Sequence, residues 1–211
     1  MILNRWSRLA PLTGLVFVPL FVAAFVVGGS TPGVHATGAK VISFYRAHGT
    51  NQKISAFLSV LAVVFLVFFA ASLRSHLGRF QGGSGLARVG YGGALVLAVA
   101  TASFAAISWA LVDARTSIDP SAAQALNVLS NDYFWPLSVG VALFGIGYGL
   151  AIVGSKALPL WLGVVALLLG IIGITPLGFL AFIGLMAWSL FASVLAFWRV
   201  ADSPANDPAR A

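Results

Sequence analysis

Six side chains in this sequence are of the types that hold a polar ligand or move a proton. Tyr45, Arg46 and His48 share one short stretch, and Asp113 with Arg115, then Asp132, follow in two later stretches. Phenol, imidazole and carboxylate exchange protons, and guanidinium holds anions in a bidentate fork. As a site, the six would bind a polar headgroup or a small ligand at a membrane face. As structure, they would form interfacial ion pairs worth about 1 kcal/mol or less each. Both readings expect Asp113 within a few ångströms of Arg46 or His48. No metal or other cofactor is expected: the chain has no cysteine, and His35, His48 and His76 lie at or beyond the ends of apolar runs without a ligand spacing.

The elements that must position these residues are membrane helices. The chain has 211 residues, 60% of them hydrophobic and 8% charged, whereas a soluble domain carries about 25% charged residues. Between Lys156 and Arg199 no charged residue occurs, and only Thr175-Pro176 interrupts the run. A span needs about 20 apolar residues, so this run is two spans and a turn. Four more apolar stretches precede it, at about 10–29, 54–73, 89–112 and 133–154, the last placed behind Asn131-Asp132 as caps. Backbone in lipid must satisfy its own hydrogen bonds, and runs without polar alternation exclude a barrel. The expected fold is therefore all-α: one domain of six transmembrane helices over residues 1–200, with a disordered tail over 201–211. The first stretch resembles a signal peptide but is longer than the usual apolar core, and reads as an uncleaved helix.

Lys and Arg set the orientation. With the N-terminus in the cytoplasm, Arg5, Arg8, Arg74, Arg79, Arg88, Lys156, Arg199 and Arg210 fall inside. Lys40, Arg46, Lys53 and Arg115 fall outside, an asymmetry that puts both termini in the cytoplasm. Two outer connections are expected to form short interfacial helices. One is centred on Lys40–Arg46; the other opens at Asp119-Pro120 and presents Ala122, Leu126 and Leu129 on one face.

The third helix repeats a small residue at every fourth position: Gly90, Ala94, Ala98, Ala102, Ala106 and Ala110. Small side chains let membrane helices approach closely, and Gly145 and Gly149 on the fourth helix match this spacing. These eight residues are read as helix packing within the monomer, with Leu97 turned to lipid. The spans contain no ionisable group at mid-membrane, which argues against a proton-coupled pump. Their interior polar residues are Ser55, Ser59, Thr101, Ser103, Ser108, Ser138, Tyr148, Ser189 and Ser193.

The phrase Phe44-Tyr45-Arg46-Ala47-His48, a polar break, the second span and then Ser72-Leu73-Arg74 resembles a pattern in uncharacterised six-span integral membrane proteins of GC-rich bacteria. The resemblance covers about the first 90 residues; it implies the topology and brings no catalytic residues. Arginine in excess over lysine points the same way, to a bacterial inner membrane. The expected role is a non-catalytic structural, accessory or sensing component. The alternatives are a small-solute transporter or channel, and an intramembrane enzyme acting on a lipid or isoprenoid at the outer face. Membrane lipids are the expected partners, with a homo-oligomer or a membrane partner protein as further options. Nucleic acid is not expected, because the +7 charge is scattered singly at helix ends.

Overall fold

The computed structural model of the chain describes residues 9–201, and they are all-helical, with no strand among them. Residues 202–211 of the expected tail, like the N-terminal Arg5 and Arg8, lie outside the described residues, and Ala201 ends the last helix. A 3-10 turn at Ala10–Leu12 leads into α1 (Thr13–Gly28). Then come α2 (Gly38–Leu77), α3 (Ser84–Ala114), α4 (Pro120–Asp132), α5 (Phe134–Ser155), α6 (Leu160–Gly173) and α7 (Gly178–Ala201). Five helical runs are long and apolar enough to cross a membrane: α1 with its lead-in, α2, α3, the α4–α5 run and α7. The shorter apolar helix α6 has 14 residues, about 21 Å at 1.5 Å per residue.

The largest departure from expectation is α2. The stretch around Lys40–Arg46 is not a separate surface helix, because one helix of 40 residues runs from Gly38 to Leu77. Thr37 caps its start by accepting the Lys40 N–H at 3.4 Å. The polar residues between the two expected elements include no proline, so the backbone ladder continues through them. Tertiary contacts also hold them helical. Gln52 Nε2 donates to the Gly28 carbonyl at 2.6 Å. A Cβ on Gly49 would lie 3.1 Å from Val112 Cγ1, a close approach to α3 that a side chain would obstruct.

The second expected surface helix is present as α4. Asp119 caps it, accepting the Ser121 N–H at 2.8 Å and the Ser121 hydroxyl at 2.6 Å. Its packed face differs from the expected one. Ala122 and Leu129 are exposed and Leu126 is half-buried, while Ala123, Asn127 and Ser130 are buried. The cause is polar: Asn127 Nδ2 donates to the Gly33 carbonyl at 3.0 Å and Asn131 Nδ2 to the Pro32 carbonyl at 3.3 Å. The buried Pro32 carbonyl gains its donor from α4, and the Gly33 carbonyl, which already accepts the Ala36 N–H at 3.0 Å, gains a second. Asn131 and Asp132 thus belong to the last turn of α4; they do not cap α5, whose N-cap is Tyr133 with no side-chain cap bond.

The core of the bundle forms around α5, wedged between α3 and α6 by two glycine faces. A Cβ on Gly147 would overlap the Gly90 backbone, and one on Gly93 would overlap Phe144 N. On the other face, a Cβ at Gly145 would sit 2.6 Å from the Ala166 carbonyl oxygen, and one at Gly149 would sit 2.7 Å from Leu167 N. The expected GxxxG pair therefore packs inside the monomer, but against α6. In the α3 stripe, Gly90 and Ala94 are buried, Ala98 and Ala102 half-buried, and Ala106 and Ala110 exposed. A strict four-residue repeat drifts about 40° per step on a helix of 3.6 residues per turn. The buried line instead passes through Leu97, Thr101, Ala105, Ser108 and Val112. Leu97 therefore does not face lipid; it packs on Gly140 of α5.

Two buried hydrogen bonds fasten neighbouring helices. Tyr148 donates its hydroxyl to the Ala70 carbonyl at 2.6 Å, and Trp188 Nε1 donates to the Leu162 carbonyl at 2.8 Å. Trp109, Trp135, Trp161 and Trp198 are exposed near helix ends, as an interfacial belt requires. A second, smaller core of Val41, Tyr45, Leu111, Val112 and Ala123 lies where the start of α2, the end of α3 and α4 meet.

Candidate functional site

The six residues singled out in the sequence do not converge on one site. Arg46 Nε donates to the Arg115 carbonyl at 3.0 Å, and Arg115 Nη1 donates to the Val112 carbonyl at 2.5 Å. Two cations thus satisfy carbonyls at the C-terminal end of α3, where the helix dipole is negative. His48 Nδ1 lies 3.1 Å from the Phe44 carbonyl, and its ring stacks on Phe44 at 4.6 Å. Tyr45 is 1% exposed and belongs to the small core. Asp113 pairs with Lys53 at 2.5 Å, the sole ion pair among the described residues, in place of Arg46 or His48. Lys53 also sits 5.0 Å from the centre of the Trp109 ring. Asp132 is exposed and has no ion pair among the described residues. Only Arg46 and Arg115 come together, and they serve the backbone.

A cavity of about 300 Å³ lies beneath this region, between α1, α2, α3, the α4–α5 junction and the start of α7. Its walls are aromatic: Phe21 and Phe25 from α1, Phe104 from α3, Phe134 from α5, and Phe179 and Phe182 from α7. Edge-on ring contacts hold them, with Phe21 and Phe182 at 5.2 Å and Phe25 and Phe179 at 6.0 Å. Phe25, Phe104 and Phe179 are exposed as well, so the rim of the cavity belongs to the outer surface of the bundle.

The polar lining is neutral. Gln52, Ser55 and Ser59 come from one face of α2, Thr101 from α3, and Ser130, Asn131 and Tyr133 from the α4–α5 junction. Some of these groups are already committed: Gln52 Nε2 to Gly28, Ser55 Oγ to the Ala24 carbonyl at 2.8 Å, and Asn131 Nδ2 to Pro32 and Asn127. The amide oxygens of Gln52 and Asn131 remain as acceptors, and the hydroxyls of Ser59, Thr101 and Ser130 as donors or acceptors. Among the described residues no carboxylate, imidazole or amine lines the cavity. The lining therefore suits a neutral molecule with an apolar body and a hydroxyl, carbonyl or amide head. The volume is at the small end of ligand sites, about 300–1,000 Å³.

Ser55, Ser59 and Thr101 are on the sequence-derived list of interior polar groups; Gln52, Ser130 and Asn131 are not. Gln52 is three residues before Ser55 and seven before Ser59, a spacing that puts all three on one helical face. That signal is hidden once the polar stretch before residue 54 is read as a loop. Tyr148 and Ser189 bond to backbone carbonyls, while the hydroxyls of Ser138 and Ser193 are buried without a hydrogen-bond partner among the described residues. Among the described residues no cluster of His, Cys, Asp or Glu has the geometry of a metal site. No protein-family model matches the chain, and neither a curated protein nor a solved structure matches it.

Proposed function

We propose that this is a six-span inner-membrane protein with both termini in the cytoplasm. It acts as a non-catalytic sensing or accessory component by holding a small neutral amphipathic molecule taken from the outer leaflet. The observation that carries this reading is the cavity: six phenylalanines around uncharged hydrogen-bonding groups, with a rim on the lipid-facing surface. Its neutral lining favours binding over acid–base or nucleophilic chemistry, which needs a titrating or activated group. Beneath Ser59 and Thr101 the bundle is filled by Phe17, Leu66, Phe69 and Phe144, which favours a closed site over a conducting path. The six-span count draws on α6. The starts of α5 and α7 both line the same cavity, so the chain returns to that end through α6. Sidedness draws on Arg74, Arg79, Arg88 and Lys156 lying at the opposite end.

The test is native mass spectrometry of the chain extracted with its own lipids, beside the variants Ser59→Phe and Thr101→Phe. The unaltered chain should carry one small neutral adduct, and the two variants, which fill the cavity, should lose it while their melting temperatures stay close to the parent. An adduct kept by both variants, or none in the parent, would overturn the binding reading. In this cysteine-free chain, single cysteines at Ser84 and Ser121 should label from opposite sides of the membrane. Labelling from one side would overturn the topology alone.

A further inference from the structure

The end of the bundle away from α4 carries a second concavity, of about 570 Å³, between the end of α2, the α2–α3 turn and the start of α3. Three guanidiniums line it: Arg74 from α2, Arg79 from the turn and Arg88 from α3. All three side chains are exposed, and none has an ion pair among the described residues. Arg74 has the Tyr91 ring beside it, 5.2 Å from the ring centre, and this fixes its direction without neutralising its charge.

Two further features match an anion. The first turn of α3 begins at Ser84, which lines the groove, with no side-chain cap and no acidic residue. Its first N–H groups therefore leave a positive dipole end uncovered. The described acids Asp113, Asp119 and Asp132 are all at the α4 end of the bundle, and the sequence has no glutamate. Three cations, a bare helix start and the hydroxyls of Ser84 and Tyr91 thus face one groove, in which the Ser75 hydroxyl already donates to the Ala71 carbonyl at 2.9 Å, with no carboxylate among the described residues to balance them. Guanidinium forks and helix N-termini are the groups that hold phosphate.

We propose that this groove binds a phosphate group, and that an acidic phospholipid headgroup at the adjoining membrane surface supplies it. Basic pockets between membrane helices hold such headgroups. A simple excess of positive charge would be spread over the membrane face; here the charges come from three successive segments and share one concavity with hydroxyl donors.

The experiment is native mass spectrometry of the full chain titrated with phosphatidylglycerol, phosphatidylcholine or glycerol phosphate. One phosphatidylglycerol should bind in preference to phosphatidylcholine. The double variant Arg74→Gln/Arg88→Gln should weaken it about tenfold or more, the loss of two charge-assisted contacts. Lys156→Asn removes one charge at the same end outside the groove and suits the left-handed backbone at that position (φ 53°); it should leave binding unchanged. Arg88→Lys keeps the charge without the fork and should fall between, which separates recognition from misfolding. Glycerol phosphate competing as well as the lipid would move the source to a soluble phosphate and keep the site. Equal binding of both lipids, or an equal loss in Lys156→Asn, would reduce the arginines to a diffuse surface charge and overturn the proposal. Asp202 and Asp207 lie beyond the described residues; binding that appears only in Asp202→Asn/Asp207→Asn would make them the occupants and overturn it equally.

Discussion

The two ends of the bundle handle charge in opposite ways. At the α4 end, most of the charged and amide groups have intramolecular partners, Asp132 apart: Asp113 with Lys53, Arg46 and Arg115 with carbonyls at the end of α3, Asp119 with Ser121, and Asn127 with the α1–α2 loop. At the other end, Arg74, Arg79 and Arg88 have no described carboxylate to meet. The first end therefore spends its polar chemistry on fixing a small helical cap, and what stays open beneath the cap is neutral. The second leaves its charge available to something outside the chain. In a membrane protein with few charges, the pairing of those charges says more about a surface than their number does.

Three changes would break or sharpen this comparison. The largest effect is expected from Gly38→Leu, because a Cβ there would overlap the Pro120 carbonyl where α4 rests on α2. Overpacking of this kind costs about 1–3 kcal/mol. Amide exchange across 120–132 should accelerate by roughly ten- to a hundredfold, while 160–173 keeps its protection. Equal acceleration in both segments would mean that the cap is not a separate unit.

A smaller effect is expected from Asn127→Ala, which removes one of two donors to the Gly33 carbonyl, the Ala36 N–H remaining at 3.0 Å, and empties a position that is 1% exposed. The loss of one such hydrogen bond costs about 0.5–1.5 kcal/mol. Thermal unfolding in detergent should begin earlier, with the cap region leading. Arg79→Gln in the same assay should stay within about 0.5 kcal/mol of the parent. A comparable loss there would erase the contrast between the ends.

The smallest effect concerns pH. Hydrogen bonds from the Ser121 hydroxyl and N–H hold the Asp119 carboxyl below its usual range. A lowered native value means that this cap contributes above the unfolded pKa, about 3.9, and is lost as pH falls through the native value. Exchange in the first turn of α4 should rise below about pH 4, and Asp119→Asn should flatten that rise. Residues 84–91 contain no acid and should show no counterpart. A parallel rise there would point to global unfolding in place of loss of the cap.

The apolar runs were legible because lipid leaves the backbone a single solution, and α1, α3, α5 and α7 fall close to where hydropathy places them. The continuity of α2 was not legible. Residues 47–53 look like a polar break, and tertiary contacts that the pattern does not show, of Gly49 and Lys53 with α3 and of Gln52 with α1, meet them as a helix. The face of α4 was misread for a related reason: hydrophobicity points to Leu126 and Leu129, while the loop carbonyls recruit Asn127 and Asn131. The alanine stripe of α3 was overextended because a repeat of four is not the repeat of the helix. The candidate site suffered most. Its six residues were grouped by chemistry and by a shared membrane side, and neither property sets a distance.

The length of α2 has a mechanical consequence. No proline interrupts Gly38–Leu77, so the helix is a single rod of about 60 Å, twice the thickness of the hydrocarbon core, about 30 Å. Gly38 at one tip touches α4, Gln52 and Ser59 pass the cavity, and Arg74 near the other tip lines the arginine groove. A stiff rod pivoting about its middle through roughly 5° carries each tip about 2.5 Å, in opposite directions. That displacement approaches the length of a hydrogen bond. Any load that tilts α2 at the cap is thereby transmitted to the guanidinium of Arg74, with no relay of side chains in between.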